Sequence, residues 1–136
     1  MTLSNAPFAL SFWINEEQQA MADQAYRFFF FFFAGLHDAM EETDELPEHI
    51  FPKLGEMGYL GAMVAPEYGG AGLDFLTTAA IGEEMSRVSP PIALSWLAHD
   101  NLCLNNIYRN GNEAQRRKYL PGLCKGTAIG GLGLTE

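Results

Sequence analysis

Residues 109–136, RNGNEAQRRKYLPGLCKGTAIGGLGLTE, decide the fold. Asn110-Gly111 stops one helix, because both residues favour the turn that ends it. Asn112 and Gln115 then have capping-box spacing: the Asn side chain takes a free amide of the first turn while the Gln reaches back to the cap. A helix is therefore predicted to open after Asn112. It should fade after Leu120-Pro121, since proline lacks the amide that would continue it. From Thr127 onward, glycine and β-branched content predicts a strand leaving a helical body. One passage thus contains a helix end, a helix and an exit.

The same punctuation recurs toward the N-terminus. A helix is predicted over 92–109, with Leu94, Leu97, Ala98, Leu102 and Asn105 along one face. Ser89-Pro90-Pro91 breaks the helix before it, which Asp74 caps and which runs to about Val88. Ala65-Pro66-Glu67-Tyr68-Gly69-Gly70-Ala71-Gly72-Leu73 is a loop with the glycines that positive φ requires. Ile50, Phe51, Leu54 and Met57 fall at helical spacing, with Pro47 as the expected first helical residue and Gly58 as a left-handed cap. Pro52 removes a donor in that stretch, so the helix is kinked or starts later. Glu41, Glu42, Asp44 and Glu45 read as an acidic turn. Asn15 and Gln18 form a second capping box, opening a helix that runs through six phenylalanines to about Gly35. The expected class is all-α, a helical bundle over 1–126, with 127–136 starting a strand toward a β-domain.

Composition bounds the function. The 136 residues carry a net charge of -9 and a pI ≈ 4.7, which argues against a nucleic-acid surface. The one tight basic group, Arg116-Arg117-Lys118, reads as a solvated helix face. His37, His49 and His99 have no partner at zinc-site spacing, so no metal site is expected. Cys103 and Cys124 set no disulfide framework and read as buried free thiols. The N-terminus lacks the marks of a secretory signal or a transit peptide, which fits a cytoplasmic protein or a processed mitochondrial matrix protein. No stretch is long enough to span a bilayer.

Four motifs in order resemble the acyl-CoA dehydrogenase family. They are Lys53-Leu54-Gly55-Glu56-Met57-Gly58-Tyr59-Leu60-Gly61, the loop from Pro66 to Leu73, Glu83-Glu84-Met85-Ser86-Arg87, and the passage 109–136. Leu94-Ser95-Trp96-Leu97-Ala98-His99-Asp100-Asn101-Leu102-Cys103 is similar to the branch that handles short branched acyl chains. In the family the Thr-Glu step seen here at Thr135 and Glu136 opens a longer flavin-site motif. The resemblance implies a flavin enzyme that uses FAD to oxidise an acyl-CoA, such as isovaleryl-CoA, at the Cα–Cβ bond. It passes electrons to an electron-transfer flavoprotein and assembles as a homo-tetramer. It implies that Leu94, Ser95, Ala98 and Leu102 line the acyl pocket, with Ala98 leaving room for a branch. Leu132 and Leu134 would pack on the flavin ring, and the Thr135 hydroxyl would approach its reactive edge, where a hydrogen bond stabilises charge on reduction. No catalytic residue is assigned here, because the family's carboxylate base belongs to a later helical domain. The chain is expected to hold the start of a cofactor site and to be inactive alone.

Two other readings stay open: a free-standing helical interaction module that uses the phenylalanines, and a related acyl-CoA oxidase. Glu83 and Glu84 read as a solvated helix face, and His99 as a helix-surface or capping histidine. The phenylalanines at 28–33 depart from the family, which carries mixed polar and charged residues there. Six successive helical positions cover every face, so some rings must point away from the core. They cover a partner domain or subunit, bind an apolar partner or surface, or replace ordinary polar residues. The last reading is favoured because large apolar patches are uncommon on monomers.

Overall fold

The computed structural model describes residues 12–134; Thr135 and Glu136 lie outside them. Its elements are α1 (Glu16–Phe33), α2 (His37–Thr43), α3 (Ile50–Glu56), α4 (Phe75–Val88) and α5 (Pro90–Leu97). A π-helical segment (Ala98–Leu104) continues α5 into α6 (Asn105–Asn110), and α7 (Glu113–Cys124) completes the bundle. The all-α class is borne out.

Both capping boxes form. Asn15 Oδ1 accepts from the Gln18 amide at 2.9 Å, and Gln18 Oε1 accepts from the Asn15 amide at 3.0 Å. Gln18 also donates to the Asp74 carboxylate at 3.1 Å, while Asp74 caps α4 through the Thr77 amide at 2.9 Å. One side-chain cluster therefore starts both α1 and α4, which pack along each other. Asn112 and Gln115 open α7 in the same way, at 2.9 and 2.8 Å.

Three boundaries differ from the sequence expectation. The acidic stretch after Leu36 is the helix α2, not only a turn. It stops at Asp44, whose φ of 54° is left-handed, a conformation that Asp tolerates better than most residues. The second predicted helix begins at Ile50 rather than at Pro47. Pro52 then lies in its first turn, where backbone amides have no intrahelical acceptor and a missing donor costs nothing. Gly58 does take positive φ, and the Tyr59 amide reaches back to the Leu54 carbonyl at 2.9 Å, closing α3 as expected. Finally, α7 does not fade at Pro121 but continues to Cys124 and ends before Gly126, where φ is 70°.

The larger core joins α1, α3, α4 and α5 around Phe29, Phe33, Leu54, Met85, Ile92 and Trp96. Phe28, Phe29 and Phe33 are buried in it, whereas Phe31 is 81% exposed and Phe32 is exposed beneath Lys53 Nζ. The run thus faces both the core and solvent. Trp96 lies flat enough on α4 that a methyl at Gly82 would come within 2.9 Å of its ring, and its indole N–H donates to the Tyr59 carbonyl at 2.8 Å. A second core beside it joins Val64, Tyr68, Leu104, Leu120 and Leu123. Both thiols are free, with Cys124 buried and Cys103 half-buried.

Past Cys124 the helix ends, although Lys125 and Gly126 still lie close against Gly55 and Phe51 of α3. Residues 127–134 carry no helix and pair with no strand among the described residues. A strand is defined by its ladder, and the described part of the bundle offers no edge to pair with.

Candidate functional site: the α5 face and the exit segment

The apolar stripe predicted for 92–109 does not all turn inward. Ile92, Ala93 and Trp96 point to the core, while Leu94 is 70% exposed and Leu97 and Leu102 are exposed beside it. Leu94 borders a groove of ≈ 410 Å³ between α4 and α5, lined also by Phe75, Ala79, Gly82, Ala93 and Leu97. Ser95 lines a separate hollow with Met40, Leu46 and Pro91, and its hydroxyl donates to the Pro91 carbonyl at 2.9 Å. Ala98 is half-buried and Leu102 exposed, and neither borders either hollow. The four residues therefore share one helical rod, with Leu94 alone on the larger groove.

The π-helical segment that follows was not legible in the spacing. It inserts one extra residue per turn, and it turns two polar side chains into the interior. His99 is fully buried, which corrects the surface reading; its bond to the Leu123 carbonyl caps the end of α7. Its Nδ1 accepts from the Gly130 amide at 3.1 Å. That nitrogen must then be bare, so Nε2 carries the proton and donates to the Leu123 carbonyl at 3.1 Å. Burial holds its pKa below the usual histidine value, outweighing the Leu123 hydrogen bond. The Phe51 ring meets the imidazole edge-on at 5.0 Å.

Asp100, the next residue, is also buried, and its Oδ1 accepts from the Gly61 amide. Desolvation pushes its carboxyl up to about 6, against the pull of the Gly61 and Ala62 amides. Gly61 has a φ of 71°, so its amide points into the bundle where Asp100 can reach it. The only advance hint of either residue was two polar side chains inside an otherwise apolar run.

Glu84 corrects a second reading. It is buried rather than solvated, and Arg87 Nη1 spans both carboxylate oxygens at 2.9 Å. Burial still raises its pKa, more than Arg87 lowers it. Glu83 is half-buried beside it.

The exit segment presents Leu132 and Leu134, two residues apart and so on one face of an extended chain. Leu134 is 82% exposed and Leu132 is exposed beside it. Gly131 and Gly133 have no atom within 4 Å of where a Cβ would stand. The result is an open segment with two exposed leucines and an accessible backbone at the glycines. Among the described residues, no cluster of three or more His, Cys, Asp or Glu could hold a metal ion, and no helix is long and apolar enough to cross a membrane.

Among the described residues the chain is a helical bundle followed by an exposed glycine-leucine segment. The family described as "Acyl-CoA dehydrogenase, N-terminal domain" matches residues 15–127, and the chain belongs to it. The mitochondrial isovaleryl-CoA dehydrogenase of Bos taurus is 40% identical over 125 residues, which are 90% of this chain and 29% of that protein. A chain in the structure described as the electron transferring flavoprotein of Acidaminococcus fermentans superposes with a TM-score of 0.84 at 35% identity, covering 93% of this chain and 33% of that one. The acyl-CoA dehydrogenase of Bacillus anthracis complexed with FAD superposes at 0.79 with 31% identity, over 88% of this chain and 21% of that one. The chain thus spans about a third or less of the length of these relatives.

Proposed function

We propose that this chain is the N-terminal helical part of a flavin-dependent acyl-CoA dehydrogenase that acts on a short, branched acyl-CoA such as isovaleryl-CoA. The observation that carries the reading is the family match over 15–127, together with the exposed glycine-leucine segment that follows it. The bovine relative's name supports isovaleryl-CoA as the first substrate to try. The Bacillus anthracis complex supports FAD as the cofactor.

Within such an enzyme the chain has two tasks. The first is to form part of the acyl pocket: Leu94, Ser95, Ala98 and Leu102 lie along one rod, and Ala98 carries the smallest of the four side chains. The second is to hold the flavin, with Leu132 and Leu134 against the ring and Thr135 at its edge. Bound there, FAD would accept the substrate's β-hydrogen as hydride. A donor at the Thr135 position would stabilise negative charge building up on the ring. No catalytic base is assigned to this chain. An electron-transfer flavoprotein as acceptor and a homo-tetrameric assembly belong to the same proposal.

Ala98→Leu in the full-length protein tests the pocket. The expected result is unchanged flavin content with kcat/KM for isovaleryl-CoA lowered about 10- to 100-fold, since pocket methylenes discriminate on that scale. Equal turnover by both proteins would remove Ala98 from the pocket.

A further inference from the structure

The exit segment has few ties to the bundle that precedes it. The Thr127 and Ala128 amides both donate to the Gly122 carbonyl, at 3.1 and 3.2 Å. The Thr127 hydroxyl donates to the same carbonyl at 3.1 Å, and beyond Ala128 the Gly130 amide donates to His99 Nδ1. Ile129, Leu132 and Leu134 are all exposed and supply little packing. Gly130 itself is pressed against Cys103 and Leu123, and a methyl there would overlap the Cys103 sulfur. Past Ala128, the tether is the buried imidazole, which grips the end of α7 with one nitrogen and the departing chain with the other.

We propose that His99 is a positioning residue for the flavin: by fixing Gly130 against α7, it sets where Leu132 and Leu134 meet the ring. The proposal rests on reading 127–135 as the flavin-facing segment. An imidazole suits the task because it is rigid and offers one acceptor and one donor at fixed geometry. Its rotamer is held by the Phe51 ring and by the Leu123 carbonyl. Extended chain advances about 3.3 Å per residue, so a change of direction at Gly130 is carried along the segment to Leu134. Small misplacements of this kind, remote from the chemistry, cost rate rather than binding. His99 touches neither substrate nor flavin in this account and is not a catalytic residue.

The test compares the full-length protein with its His99→Leu and His99→Gln variants. Hydrogen–deuterium exchange of the peptide covering 127–134 is read first, because it does not depend on flavin. His99→Leu is expected to quicken exchange there about tenfold while leaving α1 and α4 unchanged. It should also shift the visible flavin band and lower kcat about 10- to 100-fold, with a much smaller change in KM. His99→Gln, which keeps a donor and an acceptor in one amide, should recover most of both signals. Unchanged exchange in His99→Leu would overturn the proposal, and so would lost protection with an unshifted band and unchanged kcat. If His99→Leu does not fold, the wild-type protein decides: Gly130 must be protected, and exchange at the free-chain rate overturns the tether. A wild-type protein that holds no flavin would instead overturn the functional reading on which the proposal rests.

Discussion

Trp96 and His99 lie three residues apart on one continuous helical rod, yet different forces hold them. Trp96 belongs to the aromatic core with Phe29 and Phe33, where apolar area and close packing supply the stability. His99 and Asp100 belong to a polar seam, where two buried side chains satisfy backbone amides and a carbonyl of other segments. The aromatic side tolerates changes of pH and is damaged by lost volume. The seam tolerates little change of either kind, because each of its atoms has a named partner and a protonation state. The rigid side positions the bundle; the seam positions what leaves it.

The largest expected effect lies on the aromatic side. Phe29→Ala should cost about 3–5 kcal/mol in urea unfolding, since a fully buried ring leaves a cavity behind. A cost near zero would mean that the neighbouring phenylalanines refill the space and that the packing is less specific than described.

The seam should dominate the pH dependence. Asp100 is raised from 3.8 to about 6, so the folded state keeps a proton that the unfolded state has lost. Its contribution is fully present below about pH 4 and is lost as pH rises through 6, by on the order of 2–3 kcal/mol. Asp100→Asn should flatten that part of the stability profile while retaining an acceptor for Gly61. His99 acts with the opposite sign. Its pKa is lowered from 6.5, so its contribution is complete above that value and declines as pH falls below it. A profile for Asp100→Asn identical to that of the wild type would contradict the seam.

Smaller effects separate the helix starts from the surface. Asp74→Ala removes the cap of α4 and the tie to Gln18, and should cost about 1–2 kcal/mol in the same unfolding assay. Phe31→Ser, at the exposed side of the run, should change stability by less than about 0.5 kcal/mol. It should also reduce self-association on a sizing column, because it removes an exposed apolar ring.

Helix starts and the overall class were the most legible parts of the sequence. Asn15, Asp74 and Asn112 each announce a helix through short-range chemistry that tertiary packing does not change. Chain breaks at Gly58 and Ser89 were equally plain. What could not be read depends on partners distant in sequence. Pro121 looked like a stop, but a helix already anchored by Leu120 and Leu123 in the second core continues through it. Glu84 looked solvated because nothing in the spacing shows that the core closes over it with Arg87. His99 and Asp100 were hidden for a related reason: their partners, Gly130, Leu123 and Gly61, are 24 to 39 residues away. The π-helical register that turns them inward leaves no mark in the apolar periodicity. The candidate pocket and flavin residues were named through family resemblance. Helical spacing alone would have assigned Leu94 and Leu102 to the core, and both are exposed.

The most direct test of the central claim is the visible spectrum of the purified full-length protein during anaerobic addition of isovaleryl-CoA. The account predicts an oxidised flavin band that bleaches on mixing, with the α,β-unsaturated acyl-CoA as product. A protein without flavin, or a flavin band that no short acyl-CoA bleaches, would contradict it.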